Sequence, residues 1–224
     1  MNDHYLNVLD LGYREYKETW DIQKKILQKV KNKKLNNTLI FVEHNDVFTF
    51  GKRGKTDNLK VKEEILKKLG FDIHVIERGG DVTYHGPGQL VIYPIYDIKT
   101  HLVGVKKFVM NIENVIIKML DEFGIRAKED EKKIGVWIGN EKISAIGIAF
   151  DRHVSFHGAA LNVNTDLSKF NYIVPCGLID KGVTSMAKIL ERKVSMNDVK
   201  RVFIEKWKDI FNENCIKFIN EDEI

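Results

Sequence analysis

Between residues 78 and 89 the chain reads Arg-Gly-Gly-Asp-Val-Thr-Tyr-His-Gly-Pro-Gly-Gln. Glycine reaches φ values closed to other residues and proline fixes φ, so four glycines and a proline in one short span mark a backbone held in an unusual shape. Paired glycines let main-chain N–H groups approach a ligand, and Arg78, Thr83, Tyr84 and His85 add side-chain donors. The bland alternative is a tight strand connection with no ligand, and four donor side chains beside the glycines weigh against it. The segment is not a phosphate loop, because neither G-x-x-x-x-G-K-[ST] nor a helix-opening G-x-G-x-x-G is present.

Two further positions could carry nucleophilic chemistry. A cysteine is ordinarily a small buried hydrophobe, but Pro175 and Gly177 hold Cys176 on a constrained loop. A thiol with a pKa near ~8.5 needs a nearby cation to exist as the nucleophilic thiolate at neutral pH. Lys142 opens the run Lys142-Ile-Ser-Ala-Ile-Gly147. A lysine just after a hairpin turn is usually a solvated charge, yet Ser144, Ala145 and Gly147 leave unusual room beside this one. His157-Gly158-Ala159-Ala160 is equally slim. Two adjacent strands without side-chain bulk suggest a slot, although tight helix packing would leave the same trace. Cys215, with Lys217 and Ile219 alternating after it, reads as a structural strand position.

His85, His153 and His157 invite a three-histidine metal site, but no carboxylate completes it and the spacing matches no metal signature, so no metal is expected. A Cys–His protease pairing lacks any local signature. The run Lys24, Lys25, Lys29, Lys31, Lys33 and Lys34 reads as a solvated helix face or a docking surface.

The elements that must position these residues follow from periodicity. Strands are predicted over 5–11, 38–43, 47–50, 73–77, 89–95 and 215–219, with a hairpin at 134–138 and 142–150 and a third strand at 153–163. Helices are predicted over 14–33, 61–69, 184–190 and 196–212. A further helix carries the stripe Phe108, Ile112, Val115, Ile116, Met119, Leu120 and Phe123, with Gly124 closing it. Ser195-x-x-Asp198 resembles a capping box, and 164–182 is expected to be a long loop. Strands arrive both as hairpins and after helices. The expectation is a single α/β domain of α+β type over residues 1–224, with a mixed sheet and flanking helices.

With 224 residues, 43% hydrophobic and 30% charged, the chain is neither disordered, collagen-like nor a membrane bundle. No run approaches 18 apolar residues, and Met1–Gly12, with Asp3 and Asp10, lacks the features of a secretory or transit peptide. A cytoplasmic location is therefore expected, with both cysteines as thiols. A net charge of +4 is too small for a nucleic-acid coat and suits acidic partners weakly.

Four of these stretches together, RGGDVTYHGPGQLVIYPI from Arg78, KISAIG from Lys142, SFHGAALNV from Ser155 and VPCGLIDKGVTS from Val174, resemble the octanoyltransferases of lipoyl synthesis. VEHNDVFTFGKR from Val42 is similar to that family's N-terminal motif, and the likeness runs over about residues 5–190. The resemblance implies a fold shared with the catalytic domains of biotin and lipoate ligases. It also implies transfer of an octanoyl group from octanoyl-acyl carrier protein, through a cysteine thioester, to a lysine on lipoyl domains of 2-oxo-acid dehydrogenase E2 subunits and the glycine-cleavage H protein. By the same resemblance Cys176 is the nucleophile and Lys142 the residue that lowers its pKa. The acyl-binding positions become Arg78, Gly79, Gly80, Asp81, Val82, Thr83, Tyr84 and His85, then Ala145, Ile146 and Gly147, then Gly158, Ala159 and Ala160. No cofactor is implied, neither ATP nor metal, and no nucleic-acid or membrane partner. The alternatives are an ATP-dependent lipoate or octanoate ligase on the same fold, separated by ATP dependence, and a non-catalytic binder of acyl carrier protein or lipoyl domains. The presence of both Cys176 and Lys142 counts against the latter.

Overall fold

The structure is a computed structural model that describes residues 5–54, 58–101, 104–130, 133–174 and 182–224. The first strand, β1 (Leu6–Arg14), is followed by helix α1 (Tyr16–Lys31) and strand β2 (Thr38–His44). A turn at Asn45-Asp46 then takes the chain out of this sheet. β3 (Val47–Phe50), α2 (Glu63–Lys68), β4 (Asp72–Val75) and β5 (Val82–His85) build a separate small sheet in the order β4-β3-β5. The chain rejoins the main sheet at β6 (Gln89–Ile95), passes through α3 (Val105–Glu122), and adds β7 (Lys128–Asp130), β8 (Lys133–Ile138), β9 (Glu141–Asp151) and β10 (Val154–Asn162). It closes with β11 (Gly182–Val183), α4 (Met186–Leu190), α5 (Met196–Phe211) and β12 (Ile216–Ile219).

The main sheet runs β12-β1-β2-β6-β10-β9-β8-β7, with β11 on β9. β1 pairs in parallel with β2 and β12, and β11 with β9, while β2, β6, β10, β9 and β8 are successively antiparallel. The sheet is thus mixed, as the order of hairpins and helices predicts. Side chains alternate across it. Leu39, Phe41, Leu90, Ile92, Ala159 and Leu161 face α3 and α5, where Phe108, Ile112, Ile116, Phe203 and Trp207 complete one core. Ile40, Val42, Val91, Tyr93 and Ala160 face α1 and its Ile26, Leu27 and Val30. Helices α1, α3 and α5 each bury one apolar stripe, so helix and sheet periodicities meet on both faces.

Helix ends follow local chemistry. Gly70 and Gly124 take φ of +87° and +75° just past α2 and α3, where a left-handed residue closes a helix. The Ser195 side chain accepts the Asp198 N–H at 3.3 Å to open α5. Three strands escape the periodicity, β5, β7 and β11. Each has four residues or fewer and is specified by its neighbour in space. The expected loop at 164–182 contains a 3-10 turn over Leu167–Tyr172. Cys215 lies exposed one residue before β12, outside the strand position expected of it. Among the described residues no helix is long and apolar enough to cross a membrane.

Candidate active site

The two slim strands pair edge to edge. In the β9–β10 ladder Ala145 pairs with Ala160 and Gly147 with Gly158, so the missing side chains lie directly opposite one another and leave a trough. Ile146 and Ala159 form the intervening pair, with their side chains turned to the α3/α5 core and their main chain toward the trough. The Arg78–Gly80 segment crosses above it. Gly79 N donates to Ile148 O at 3.3 Å, and a Cβ at Gly147 would stand 2.9 Å from Gly79 O and 3.0 Å from Arg78 Cδ. The segment is held from its other side by Gly51, Lys52 and Arg53, whose N–H groups donate to Asp81 O, Arg78 O and Gly80 O at 3.2, 3.0 and 3.0 Å. Gly51 is required there, since its Cβ would lie 2.6 Å from Gly80 O.

Trough and roof enclose a cavity of about 850 Å³. It is lined by Arg78, Gly79, Gly80, Asp81, Val82, Thr83, His85, Lys142, Ala145, Ile146, Gly147, Gly158, Ala159 and Ala160, nominated by the sequence. Tyr84 is not among the lining residues. Its ring packs with Phe48, Phe71 and Phe170, and its hydroxyl donates to Asp46 Oδ1 at 2.5 Å. Cys176 lies outside the described residues, but the chain on either side of its loop is fixed. Val174 N donates to Asn58 O at 2.8 Å, and Asn58 in turn donates to Asp81 Oδ2 at 2.6 Å. On the exit side Gly182 and Val183 pair with Glu141 and Lys142.

Lys142 owes its orientation to a β-bulge. Val136 pairs with Ser144 but Trp137 with Lys142, so Ile143 is an extra residue in β9. Ile143 packs in the α3/α5 core, and so do Ile146, Ile148 and Phe150 beyond it. Regular alternation would put Lys142 on their face; the extra residue turns it to the other one, with Ala145 and Gly147. There its Nζ lies 4.7 Å from the Trp137 ring centroid. Gly135 leaves space for the stem, its Cβ position being 3.3 Å from Lys142 Cε.

Several donors nominated for a ligand are spent on the protein. Arg78 is 7% exposed, and its guanidinium donates to Thr49 O, Thr49 Oγ1 and Gly79 O at 2.5, 3.0 and 3.0 Å. His85 is buried between Thr49 Oγ1, 3.3 Å from Nε2, and Gln89 Oε1, 2.8 Å from Nδ1. Burial pushes its pKa down to about 3, so it stands neutral at physiological pH. Gln89 uses its Nε2 as donor elsewhere, which assigns the His85 proton to Nδ1.

His157 is the residue whose geometry periodicity misses. Two residues on from the Ala159–Ile92 pair, the register brings it opposite Pro94, which has no N–H to give. Its φ of +56°, sterically unfavourable for a side-chain residue, swings the ring to the α1 side, 6.4 Å from Trp20, and its N–H donates to Gln23 Oε1 at 2.9 Å. Glu77 Oε2 lies 3.3 Å from Nε2, yet burial outweighs it and pushes the imidazole pKa down. His153 is elsewhere, 3.3 Å from Asp97, so the three histidines do not converge. Tyr16, Tyr93, Val91, Val105, Val109, Ile134, Lys52, Arg53 and Lys133 also line the cavity without having been nominated. They come from α1, β6, α3, β8 and the loop after β3; Val91 and Tyr93 lie in the 78–95 stretch and Lys52 and Arg53 end the 42–53 stretch, while the others belong to none of these motifs. Glu113 on α3 was missed too. Its Oε1 accepts the Gly135 N–H at 2.8 Å, and burial pushes its pKa up against the pull of Lys142.

Residues 15–208 match the lipoyl protein ligase A/B catalytic domain. An octanoyltransferase of Caldicellulosiruptor bescii is 48% identical over 217 residues, 96% of this chain and 93% of the relative. One of Alkaliphilus metalliredigens is 43% identical, over 96% of this chain and 99% of its own. Among solved structures, a lipoate-protein ligase A bound with ATP superposes with a TM-score of 0.75 at 16% identity, covering 98% of this chain and 90% of that one. A biotin protein ligase of Aquifex aeolicus gives 0.54 at 11%, over 92% and 69%. At such identities these two show the fold alone, the expected biotin and lipoate ligase architecture. The sequence relatives carry more, and on them the chain belongs to the octanoyltransferase family within the lipoyl protein ligase A/B catalytic domains.

Proposed function

We propose that the chain transfers an octanoyl group from octanoyl-acyl carrier protein, through a thioester on Cys176, to a lysine of a lipoyl domain. The observation that carries this reading is the trough of Ala145, Gly147, Gly158 and Ala160, roofed by Arg78–Gly80 and opening beside Lys142. An eight-carbon acyl chain laid in it removes about six methylenes from water, worth roughly 5 kcal/mol.

The chemistry balances without another reactant. The Cys176 thiolate attacks the donor carbonyl, a tetrahedral oxyanion forms, and the carrier thiolate leaves. The acceptor amine then attacks the new thioester, the amide forms and loses the amine proton, and Cys176 is released as thiolate. Lys142, as a cation, stabilises the thiolate and then serves the proton transfer. Exchange between thioesters is nearly isoenergetic and amide formation from a thioester runs downhill, so the route uses no ATP. Lys52, Arg53 and Lys133 at the cavity suit acidic protein substrates, and the transfer rate is then expected to fall as salt rises.

The test is modification of a lipoyl domain by octanoyl-acyl carrier protein without ATP, using the wild-type chain and the variants C176S and K142A. Transfer by the wild type, none by C176S, and a rate reduced by at least tenfold in K142A are expected. The second reading, an ATP-dependent ligase, draws on the fold shared with the ATP-bound lipoate-protein ligase. Modification by free octanoate plus ATP, with none from the carrier thioester, would establish it instead.

A further inference from the structure

A buried line of hydrogen bonds runs beneath the cavity from its roof to the strand of Lys142. Arg78 donates to Thr49 Oγ1 at 3.0 Å, and that hydroxyl lies 3.3 Å from His85 Nε2. His85 Nδ1 is 2.8 Å from Gln89 Oε1, and Gln89 Nε2 donates to Asn162 Oδ1 at 2.9 Å. Asn162 Nδ2 donates to Thr184 O at 3.0 Å, and Thr184 N donates to Lys142 O at 3.0 Å. Every member points its donor the same way, and such a chain polarises each bond in it.

Asn162 stands at the junction. It is 4% exposed, at the last position of β10, and Thr184 is 1% exposed. Thr184 directly follows β11, the segment by which the chain returns from Cys176 to pair with Glu141 and Lys142. At this position the side chain must accept from Gln89 and donate to a buried carbonyl, which a carboxamide does and a carboxylate cannot. Without that donor the Thr184 carbonyl is left buried and unpaired, and the short β11 loses one of its few anchors.

We propose that Asn162 is a positioning residue for acyl transfer, fixing where the chain leaving Cys176 joins the strand that carries Lys142. The proposal rests on the reading of Cys176 as nucleophile. It assigns Asn162 no contact with substrate: its effect is on the placement of the thiolate against Lys142 and against acyl groups held by the roof.

The test is steady-state transfer from octanoyl-acyl carrier protein to a lipoyl domain by N162D, read as kcat and KM well below each variant's Tm. N162D keeps the shape and the acceptor and replaces the donor to Thr184 with a carboxylate oxygen that the carbonyl repels, whereas N162S removes the amide donor without adding a charge. Expected is a fall in kcat of about a hundredfold, the cost of misplacing a reacting group by about 1 Å, with the KM for the donor changed less than about twofold. Asn7, equally buried on β1 and bonded to Thr38 Oγ1, gives the control: N7D lowers Tm and leaves kcat unchanged. If N162D does not fold, N162S carries the same test, with the same split between kcat and KM expected. A kcat within twofold of wild type, or losses of kcat in N162D matched by N7D at equal loss of Tm, overturns the proposal while C176S remains inactive. An active C176S overturns the nucleophile reading and this proposal with it.

Discussion

Gly147 and Gly158 face each other across the β9–β10 ladder for different physical reasons. A Cβ at Gly158 would lie 2.0 Å from Ile92 O, inside the sheet, where neither backbone yields. A Cβ at Gly147 would meet Gly79 O at 2.9 Å, a main-chain oxygen of the roof that lies only just inside the closest tolerated distance and outside the sheet. G158A is therefore expected to lose about 3 kcal/mol or more in urea unfolding and G147A about 1–2 kcal/mol, with G147A alone raising the KM for the acyl donor. Equal stability of the two variants would contradict the assigned approaches. Ala145→Leu fills the trough opposite Ala160, and its transfer of octanoyl is expected to fall at least tenfold while a butanoyl donor is spared. The trough is legible in the sequence because missing bulk on neighbouring strands is written in residue types. The division of labour between Gly147 and Gly158 is not, since it depends on what crosses above each. Tyr84 shows the same limit. It sits in the motif, and its ring joins the Phe48, Phe71 and Phe170 cluster because strand alternation turns it away from its neighbours Thr83 and His85.

At the scale of elements, the long helices and the β6, β9 and β10 strands follow their hydrophobic periods. α5 also begins where its cap does, and S195A is expected to cost about 1 kcal/mol, seen as a lower Tm with kcat unchanged. A Tm equal to wild type would remove the cap from the account. β5 and β11 are invisible to periodicity because they are held by pairing to β3 and β9. The bulge at Ile143 is hidden for a related reason. Read straight, the strand puts Lys142 on the face of Ile146 and Ile148; only the shifted register against β8 places it over Trp137. The sequence thus names the residue, and the sheet supplies the direction in which it points.

For the molecule as a whole, three buried imidazoles among the described residues tie stability to pH. Burial lowers the pKa of His44 to about 4 and of His85 to about 3, and lowers that of His157 as well. An unfolded histidine titrates near ~6.5, so below that pH the unfolded chain binds protons that the folded one refuses. The stabilisation is complete above about pH 6.5 and is lost as pH falls toward the folded-state values, at roughly 1.4 kcal/mol per pH unit for each fully titrating histidine. Thermal unfolding is expected to show a Tm that is level above pH 7 and lower by many degrees at pH 5. A Tm unchanged at pH 5 would contradict the neutral, buried assignment. The mixed sheet and its helices, read from the order of hairpins and helical stripes, hold these groups in place. Read along the chain, Val47–Phe50 continues the 38–43 strand after the turn at Asn45-Asp46; β3 instead joins β4 and β5 in a second sheet, because such a turn looks the same whether the strand after it continues the sheet or leaves it. Passage of the acyl group through Cys176 is read from the intact mass of the protein after mixing with octanoyl-acyl carrier protein, without ATP or acceptor. A gain of one octanoyl group, removed by hydroxylamine and absent in C176S, is expected; a C176S protein that gains the same mass, or a wild type that transfers octanoyl to a lipoyl domain without ever gaining it, would rule out the Cys176 thioester.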